Sequence, residues 1–596
     1  MRWKQMWARK SFDNLLAEMA GEHRLQRVLG PVALTSLGVG AIIGAGIFSM
    51  TGRVAATDAG PAIMLSFIVA GIACGFAALC YAEFSAMAPV AGSAYTYTYA
   101  TLGELWAWII GWDLVLEYAM SCAVVAWHWA HYLDEFLHAL FGIHLPVQLL
   151  NDPFTKVMVN DQVVTCWVNL PAMLIMAAVT AVLVLGIRES ALANAILVVV
   201  KLVVVLFVII LGWRYTRTEN WNKVPMEQRQ ATDAIDFLER NPALHDLVPR
   251  ESWRELESGA DLLSRVPELS ERLPAEQVAQ LKDLPAEGRK WGLLGLLGIK
   301  RWLEPLDQRL RSSFMPYGVS GLMVGAALVF FAYIGFDSIS THSEEAKNPQ
   351  RDVPLGIILS LAICTVLYML VAAVITGMEP YPTIDGNAAV AAAFRRRAEV
   401  EQSGLLNMSA GLIAAGALAG MTSVLLVSFL SQARIFLAMS RDGLLPPSIF
   451  AAIHPRFLTP HRSTILTGVV ICILSGFTPI QQLEEMVNIG TLMAFALVCG
   501  SVLMLRWKRP DTPRPFRCPF IYIVAPAGIL VNIALMLFLP VDTWIRLAVW
   551  LGLGLIIYFV YGQRHSVLGH QLLEEMQTHG MTGSDAPLET ASHKPH

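Results

Sequence analysis

Apolar residues along this chain do not alternate with polar ones; they come in long runs parted by short stretches rich in charge, proline and glycine. A helix needs about 20 apolar residues to cross a bilayer. Runs that meet or approach this length lie near residues 31–56, 61–89, 97–132, 163–186, 191–212, 317–341, 353–378, 405–438, 464–479, 484–505, 520–539 and 543–562. The pattern predicts an all-α integral membrane protein with about 12 transmembrane helices. The chain then divides into an N-terminal segment (1–30), five spans (31–212), a hydrophilic insertion (213–316), five more spans (317–505), a linker with two further spans (506–562) and a polar tail (563–596) expected to be disordered. No cleavable signal peptide is expected, because the first 30 residues are polar and basic and the first run is too long for a signal core.

Inside the insertion, Leu256, Leu262, Leu263, Leu269 and Leu273 recur among charged residues at helical spacing and are interrupted by Pro267, Pro274 and Pro285. That predicts several short amphipathic helices, a helical decoration without paired chemistry of its own. Lysine and arginine in short loops mark the cytoplasmic side. Arg2, Lys4, Arg9, Lys10, Arg24 and Arg27 precede the first run, and alternate crossings bring Arg188, Lys347, Arg351, Arg434, Arg441, Arg456, Arg462, Arg506, Lys508, Arg509, Arg514 and Arg517 to the same side. Both termini are therefore expected in the cytoplasm, with the insertion facing outward and Arg395, Arg396 and Arg397 as a local exception.

Composition sharpens the class. The chain is 55% hydrophobic and 15% charged, against roughly 25% charge in soluble domains, which excludes a soluble enzyme. Forty-four glycines and 16 tryptophans suit packed spans with tryptophan at the headgroups. A net charge of −4 offers no footprint for nucleic acid. The eight cysteines lie almost entirely in apolar runs without CxxC spacing, so neither a disulfide framework nor a zinc site is proposed. No nucleophile elbow, phosphate loop or metal spacing supports an enzyme.

Two spans contain helix breakers. The first has Gly44-Ala45-Gly46-Ile47 at its middle, and the sixth has Phe331-Ala332-Tyr333-Ile334-Gly335-Phe336-Asp337. Freed backbone groups survive at membrane depth only where they line a cavity or bind something. Glycine for helix packing explains either segment alone. A matched pair opening each five-helix half points instead to an inverted-repeat transporter with its site at the midplane. Charges inside spans also need a reason. Lys201 is the only ionisable residue between Ala191 and Gly212, and burial disfavours its charged form, which makes it a candidate proton carrier. Permanent pairing with a carboxylate or helix carbonyls is the structural alternative. Glu117 lies mid-span with Asp113 one turn before it, His128 lies toward the surface, and Glu83 and Asp337 complete the set.

These residues bring a family into view. The stretches from Gly38 to Phe48, from Phe330 to Asp337, from Glu344 to Pro349, from Arg434 through Ser440-Arg441-Asp442-Gly443-Leu444-Leu445-Pro446, and Arg514-Pro515-Phe516-Arg517 resemble the amino acid–polyamine–organocation superfamily, and within it the cationic amino acid transporters. The resemblance covers about residues 7–212 and 314–562; the insertion is longer than the short loop usual in that family. It implies a LeuT-like fold of two inverted five-helix repeats, with discontinuous helices 1 and 6 plus two extra helices, that moves amino acids by alternating access. It further implies that N–H groups at Ile43, Gly44, Ala45 and Gly46 receive the substrate carboxylate and that carbonyls around Phe331, Ala332 and Ile334 take the ammonium. Phe331 would gate the pocket and Glu117 would reach toward it. Lys201 matches a fifth-helix lysine that stands in for sodium in proton-coupled members, with Thr422 or Ser423 as partners. Small Ser428 leaves room for a long side chain, so cationic (arginine or lysine) and small neutral amino acids both remain open.

The leading expectation is a proton-coupled amino acid importer of the inner (plasma) membrane, with the proton as coupling ion and no cofactor or metal. Expected partners are the amino acid and the lipid bilayer; a small single-span subunit at the membrane edge is compatible with this reading. An ion-independent exchanger of amino acids or polyamines is the alternative, against which Lys201 argues. A non-transporting sensor is the remote third, since little cytoplasmic chain is left for signalling.

Overall fold

In a computed structural model of the chain, residues 2–10, 29–87, 93–159, 162–186, 191–341, 343–457 and 459–579 are described, apart from scattered positions between 226 and 290. Arg24, Arg27, Arg188, Pro285 and the tail after residue 579 lie outside the described residues. Helix dominates, and a helix lies on each of the predicted apolar runs. Among the described residues, seven helices are long and apolar enough to cross a membrane, and five shorter apolar helices stand among them. Their packed faces form one continuous apolar core, built largely of alanine, small β-branched residues and aromatics.

The differences from the sequence reading have local causes. The third run begins with a separate helix, Ser93–Thr101, and the long Glu104–Phe141 helix starts only after Gly103, whose φ of +110° breaks the path. The fourth run opens as a strand. Lys156–Val159 pairs antiparallel with Gln162–Thr165, and the helix begins at Leu170, where the Asn169 side chain accepts the N–H of Ala172. β-branched valine and threonine favour the strand there over the helix. In the tail, expected to be disordered, Val567–His579 is a helix. Ser566 caps it by accepting the N–H of Gly569, while Leu568 and Leu572 are buried.

Buried Glu104 gathers both ends of the chain: it accepts hydrogen bonds from Tyr99 (2.9 Å), Tyr558 (2.9 Å), Gln5 (3.1 Å) and Ser566. Asp442 of the Ser440–Pro446 motif does related work, binding Lys10 at 3.1 Å and Tyr95 at 2.7 Å. The Glu344–Pro349 motif pairs with the segment before the first span, Leu29 donating to Glu345 and Lys347 donating back to Leu29.

The insertion has a small core of its own around Phe237, Leu238, Val248, Trp253, Leu262 and Leu269. Its described part includes the short helices Ala234–Arg240, Gly259–Arg265 and Glu268–Arg272, as the leucine spacing predicts, and two of them are capped by Asp233 and Ser258. It docks by polar contacts on the ends of the long helices. Arg217 and Asn220 donate to the Gly377 carbonyl, Trp221 donates to Thr376, and Arg229 stands over the Tyr317 ring while paired with Asp236. Burial works against the Arg229 charge, but Asp236 more than offsets it and holds the guanidinium above its ordinary range.

Candidate substrate site and coupling site

The first span stops being helical where its glycines predict. Pro31–Ile42 ends at Ile43, whose backbone is extended (φ −73°, ψ 104°), and a wide-turned helix resumes at Gly46–Met50. The sixth span runs as Gly318–Val329, tightens over Phe330–Tyr333, then breaks at Ile334 (ψ 134°) and Gly335 (φ +115°). Only glycine fits that last position, because a Cβ there would also lie 2.8 Å from the Ala41 carbonyl. The two breaks cross at Gly46 and Ala332, where a Cβ on Gly46 would sit 2.4 Å from the Ala332 Cβ.

At the crossing the resemblance-derived residues fall close together, with unequal availability. Ile43 spends its N–H on Val39, closing the first half-helix. Gly44, Ala45 and Gly46 stand at the opening turn of the second half-helix, the place where N–H groups point out of a helix toward an anion. Among the carbonyls, Phe331 accepts from the Ile334 N–H at 3.2 Å, and Ala332 lies 2.7 Å from the Tyr368 hydroxyl, which also lies 2.9 Å from the Ile42 carbonyl. Tyr368 thereby staples the two breaks with one shared proton. Phe331 itself is buried (5% exposed). On the eighth span, Gly404–Arg441, Val424 packs toward Gly44, with half-buried Ser428 one turn further on.

Lys201 is 1% exposed, and its ammonium donates to the Gly40 carbonyl at 2.6 Å and to the Ser423 hydroxyl at 3.3 Å. It thus ties the fifth span to the first half-helix and to the eighth. Glycine makes the approach possible: Gly420 leaves room for the lysine stem (3.3 Å to Cγ), and side chains at Gly416 and Gly40 would strike Val204 and Val198 at 2.4 Å. Thr422, the other expected partner, points elsewhere, donating to the Leu418 carbonyl and accepting from the Trp129 indole at 3.0 Å.

Glu117 is equally deep, yet neither of its oxygens makes a hydrogen bond among the described residues, and the same holds for Asp113. Thr491, whose hydroxyl donates to the Val487 carbonyl, lies near Glu117, and Asp337 lies close enough to act on its charge. Asp337 accepts from Tyr118 at 2.9 Å. Glu83 and His128, also picked out in the sequence, are paired within the chain. Glu83 takes a bidentate bond from Arg506 (2.8 and 2.7 Å) and the N–H of Cys518 (2.8 Å), with Arg514 at 3.2 Å. His128 lies 3.1 Å from Glu484, whose other oxygen is paired with Arg53. That triad joins the resumed first helix to the third and tenth spans on the insertion side of the crossing. Sequence reasoning missed it because Glu484 opens an apolar run and Arg53 lies near the end of one, where a charge needs no special cause.

A family model described as amino acid permease matches residues 29–242 and 292–561, skipping the middle of the insertion. The branched-chain amino acid permease BcaP of Bacillus subtilis is 39% identical over 94% of this chain and 99% of its own length. A methylthioribose transporter of the same organism is 36% identical over the same shares, and the vacuolar cationic amino acid transporter 4 of Arabidopsis thaliana is 34% identical over 84% of this chain and 67% of its own. Broken helices, a buried lysine against the first of them and similarity over most of the length agree: the chain is a multi-pass membrane protein, a transporter and not an enzyme, and belongs to the amino acid permease family of the amino acid–polyamine–organocation superfamily.

Proposed function

We propose that this permease imports an amino acid by proton symport through alternating access across the inner (plasma) membrane, with both termini in the cytoplasm and the insertion outside. The observation that carries the reading is the Lys201 ammonium on the Gly40 carbonyl and the Ser423 hydroxyl. Such charge-assisted bonds contribute about 1.5–3 kcal/mol each. A protonated lysine holds the first half-helix against the fifth and eighth spans. Loss of that proton to the cytoplasm replaces the charge-assisted bonds by weaker neutral ones and releases the half-helix. Protonation state and helix position are thereby linked, and a proton travels with each substrate.

The substrate carboxylate would meet the N–H groups of Gly44, Ala45 and Gly46, and its ammonium the carbonyls of the sixth-span break, Ile334 first. The side chain would extend between Phe331, Val424 and Ser428. A neutral aliphatic side chain suits this lining and is what the branched-chain relative is named for. A cationic side chain is the second reading, favoured by the two buried oxygens of Glu117.

The test is uptake of a panel of labelled amino acids into proteoliposomes, with and without an inward proton gradient, for wild type and Lys201→Ala. Accumulation that needs the gradient, and loses that dependence in the variant, supports symport, and the panel names the substrate. Uptake that requires internal amino acid and ignores the gradient in both proteins makes the permease an exchanger and overturns the role given to Lys201.

A further inference from the structure

The last part of the insertion presents an apolar stripe that nothing among the described residues covers. Gly292–Leu296 and Lys300–Leu310 form a helical hairpin turned at Gly298 (φ +72°). Along it Leu296, Ile299, Trp302, Leu306 and Leu310 recur at intervals of three and four residues, and they are 72%, 40%, 86%, 51% and 43% exposed. Five large apolar residues on one face of a short hairpin are not the scattered singles of an ordinary surface. The flank of the stripe is anchored. Asp307 is buried, pairs with Arg311 and accepts the Ser320 N–H at 2.7 Å, which fixes the hairpin to the start of the sixth span. Trp291 and Leu294 pack on Phe538, and Gly292 lies against the Leu539 carbonyl, where the eleventh span ends.

The hairpin is therefore held at the level of the start of the sixth span and the end of the eleventh, in contact with the last two spans, whose own sides carry exposed apolar residues, Leu530 and Ile533 on one and Ile545 and Val549 on the other. Arg301 and Arg309 are exposed beside the stripe. An amphipathic helix lying at that depth, with tryptophan and leucine on one side and arginine next to them, matches the boundary between acyl chains and headgroups. We propose that residues 292–310 lie in the headgroup layer of the leaflet on the insertion side, Trp302, Leu306 and Leu310 entering the lipid and Arg301 and Arg309 binding anionic phospholipid headgroups. Because Asp307 grips Ser320, the lipid then holds the base of the broken sixth helix.

The experiment places a single fluorophore on the full-length protein as Trp302→Cys, Leu306→Cys or Gln308→Cys, with wild type labelled in parallel to subtract any signal from native cysteines. Each is reconstituted into nanodiscs of phosphatidylcholine alone or with phosphatidylglycerol, and quenching by shallow spin-labelled lipid is compared with quenching by aqueous iodide. Lipid quenching at 302 and 306 at least about threefold that at 308, rising with phosphatidylglycerol and losing that rise in Arg301→Glu/Arg309→Glu, supports the proposal. Equal iodide quenching at all three positions, or shielding at 302 that persists in detergent together with a dimer in light scattering, overturns it, the latter by making a second copy the occupant. Uptake by the double arginine variant shows that it is folded. A quenching gain that does not depend on phosphatidylglycerol overturns the anionic-headgroup part.

Discussion

Two buried charges in this fold are treated in opposite ways. Lys201 and Glu117 are each 1% exposed. Around the lysine, glycine clears a groove and the chain supplies a carbonyl and a hydroxyl at hydrogen-bond distance. The glutamate is left without a hydrogen bond among the described residues and has other carboxylates for neighbours. Burying a charge without a partner costs far more than burying one that is answered. On the proposed reading the lysine, answered by the chain's own groups, acts on helix positions, whereas the glutamate is kept at a cost to stability and acts on the arriving substrate. Substitutions at the two sites should then move transport in the same direction and stability in opposite ones.

The largest effect is expected from Lys201→Met. It removes the donor to Gly40 and Ser423 and with it the group proposed to carry the proton, so gradient-driven accumulation should fall at least about tenfold, equivalent to about 1.4 kcal/mol. The purified protein should also melt at a lower temperature, because a buried carbonyl loses its partner. Unchanged accumulation would end the coupling role. Next is Gly46→Ala. Its methyl group would come 2.4 Å from the Ala332 Cβ and 2.5 Å from its Cα, so the crossing must open. Uptake should drop by about tenfold, while size-exclusion behaviour stays that of a folded protein. Glu117→Gln separates the two charges: uptake should fall several-fold, but the melting temperature should hold or rise, since an unanswered carboxylate is replaced by a neutral amide. A fall in melting temperature as large as that of Lys201→Met would make Glu117 a structural residue.

How much of this was legible depends on the range of the interaction. The broken helices were readable because glycine density acts locally: Gly44 to Gly46 and Gly335 announce a break wherever the chain packs. Lys201 was readable because one charge in an apolar run has few explanations. Of its partners, Ser423 came only from the family resemblance, as one of two adjacent hydroxyls, and the Gly40 carbonyl was not legible, because the two are 222 and 161 residues away. Tyr368, which joins both breaks, was invisible as a lone tyrosine in an apolar helix. Glu83 stood in the sequence as an unexplained charge in a span, and its reason, Arg506 and Arg514, lies 423 residues and more along the chain. The tail helix was missed because Val567–His579 is polar in sequence and is held by contacts near the N-terminal segment.

The smallest expected effect tests that choice between neighbouring hydroxyls. Thr422 and Ser423 differ by one position on the eighth span, and 100° of helix separates their side chains. Ser423 faces Lys201 at 3.3 Å; Thr422 faces Trp129 and its own helix. Ser423→Ala removes one acceptor of the ammonium and leaves the shorter bond to Gly40, so gradient-dependent uptake should weaken by a few-fold and not vanish, in keeping with about 0.5–1.5 kcal/mol for one modest hydrogen bond. Thr422→Ala deletes a bond between the third and eighth spans, and should leave the ratio of uptake with and without the gradient untouched even if the overall rate shifts. That ratio is the useful readout, because a loss of packing lowers both terms together and only a change at the lysine moves one against the other. If Thr422→Ala changes the ratio and Ser423→Ala does not, the ammonium swings to the other hydroxyl during transport, and the Gly40 bond alone defines the protonated state.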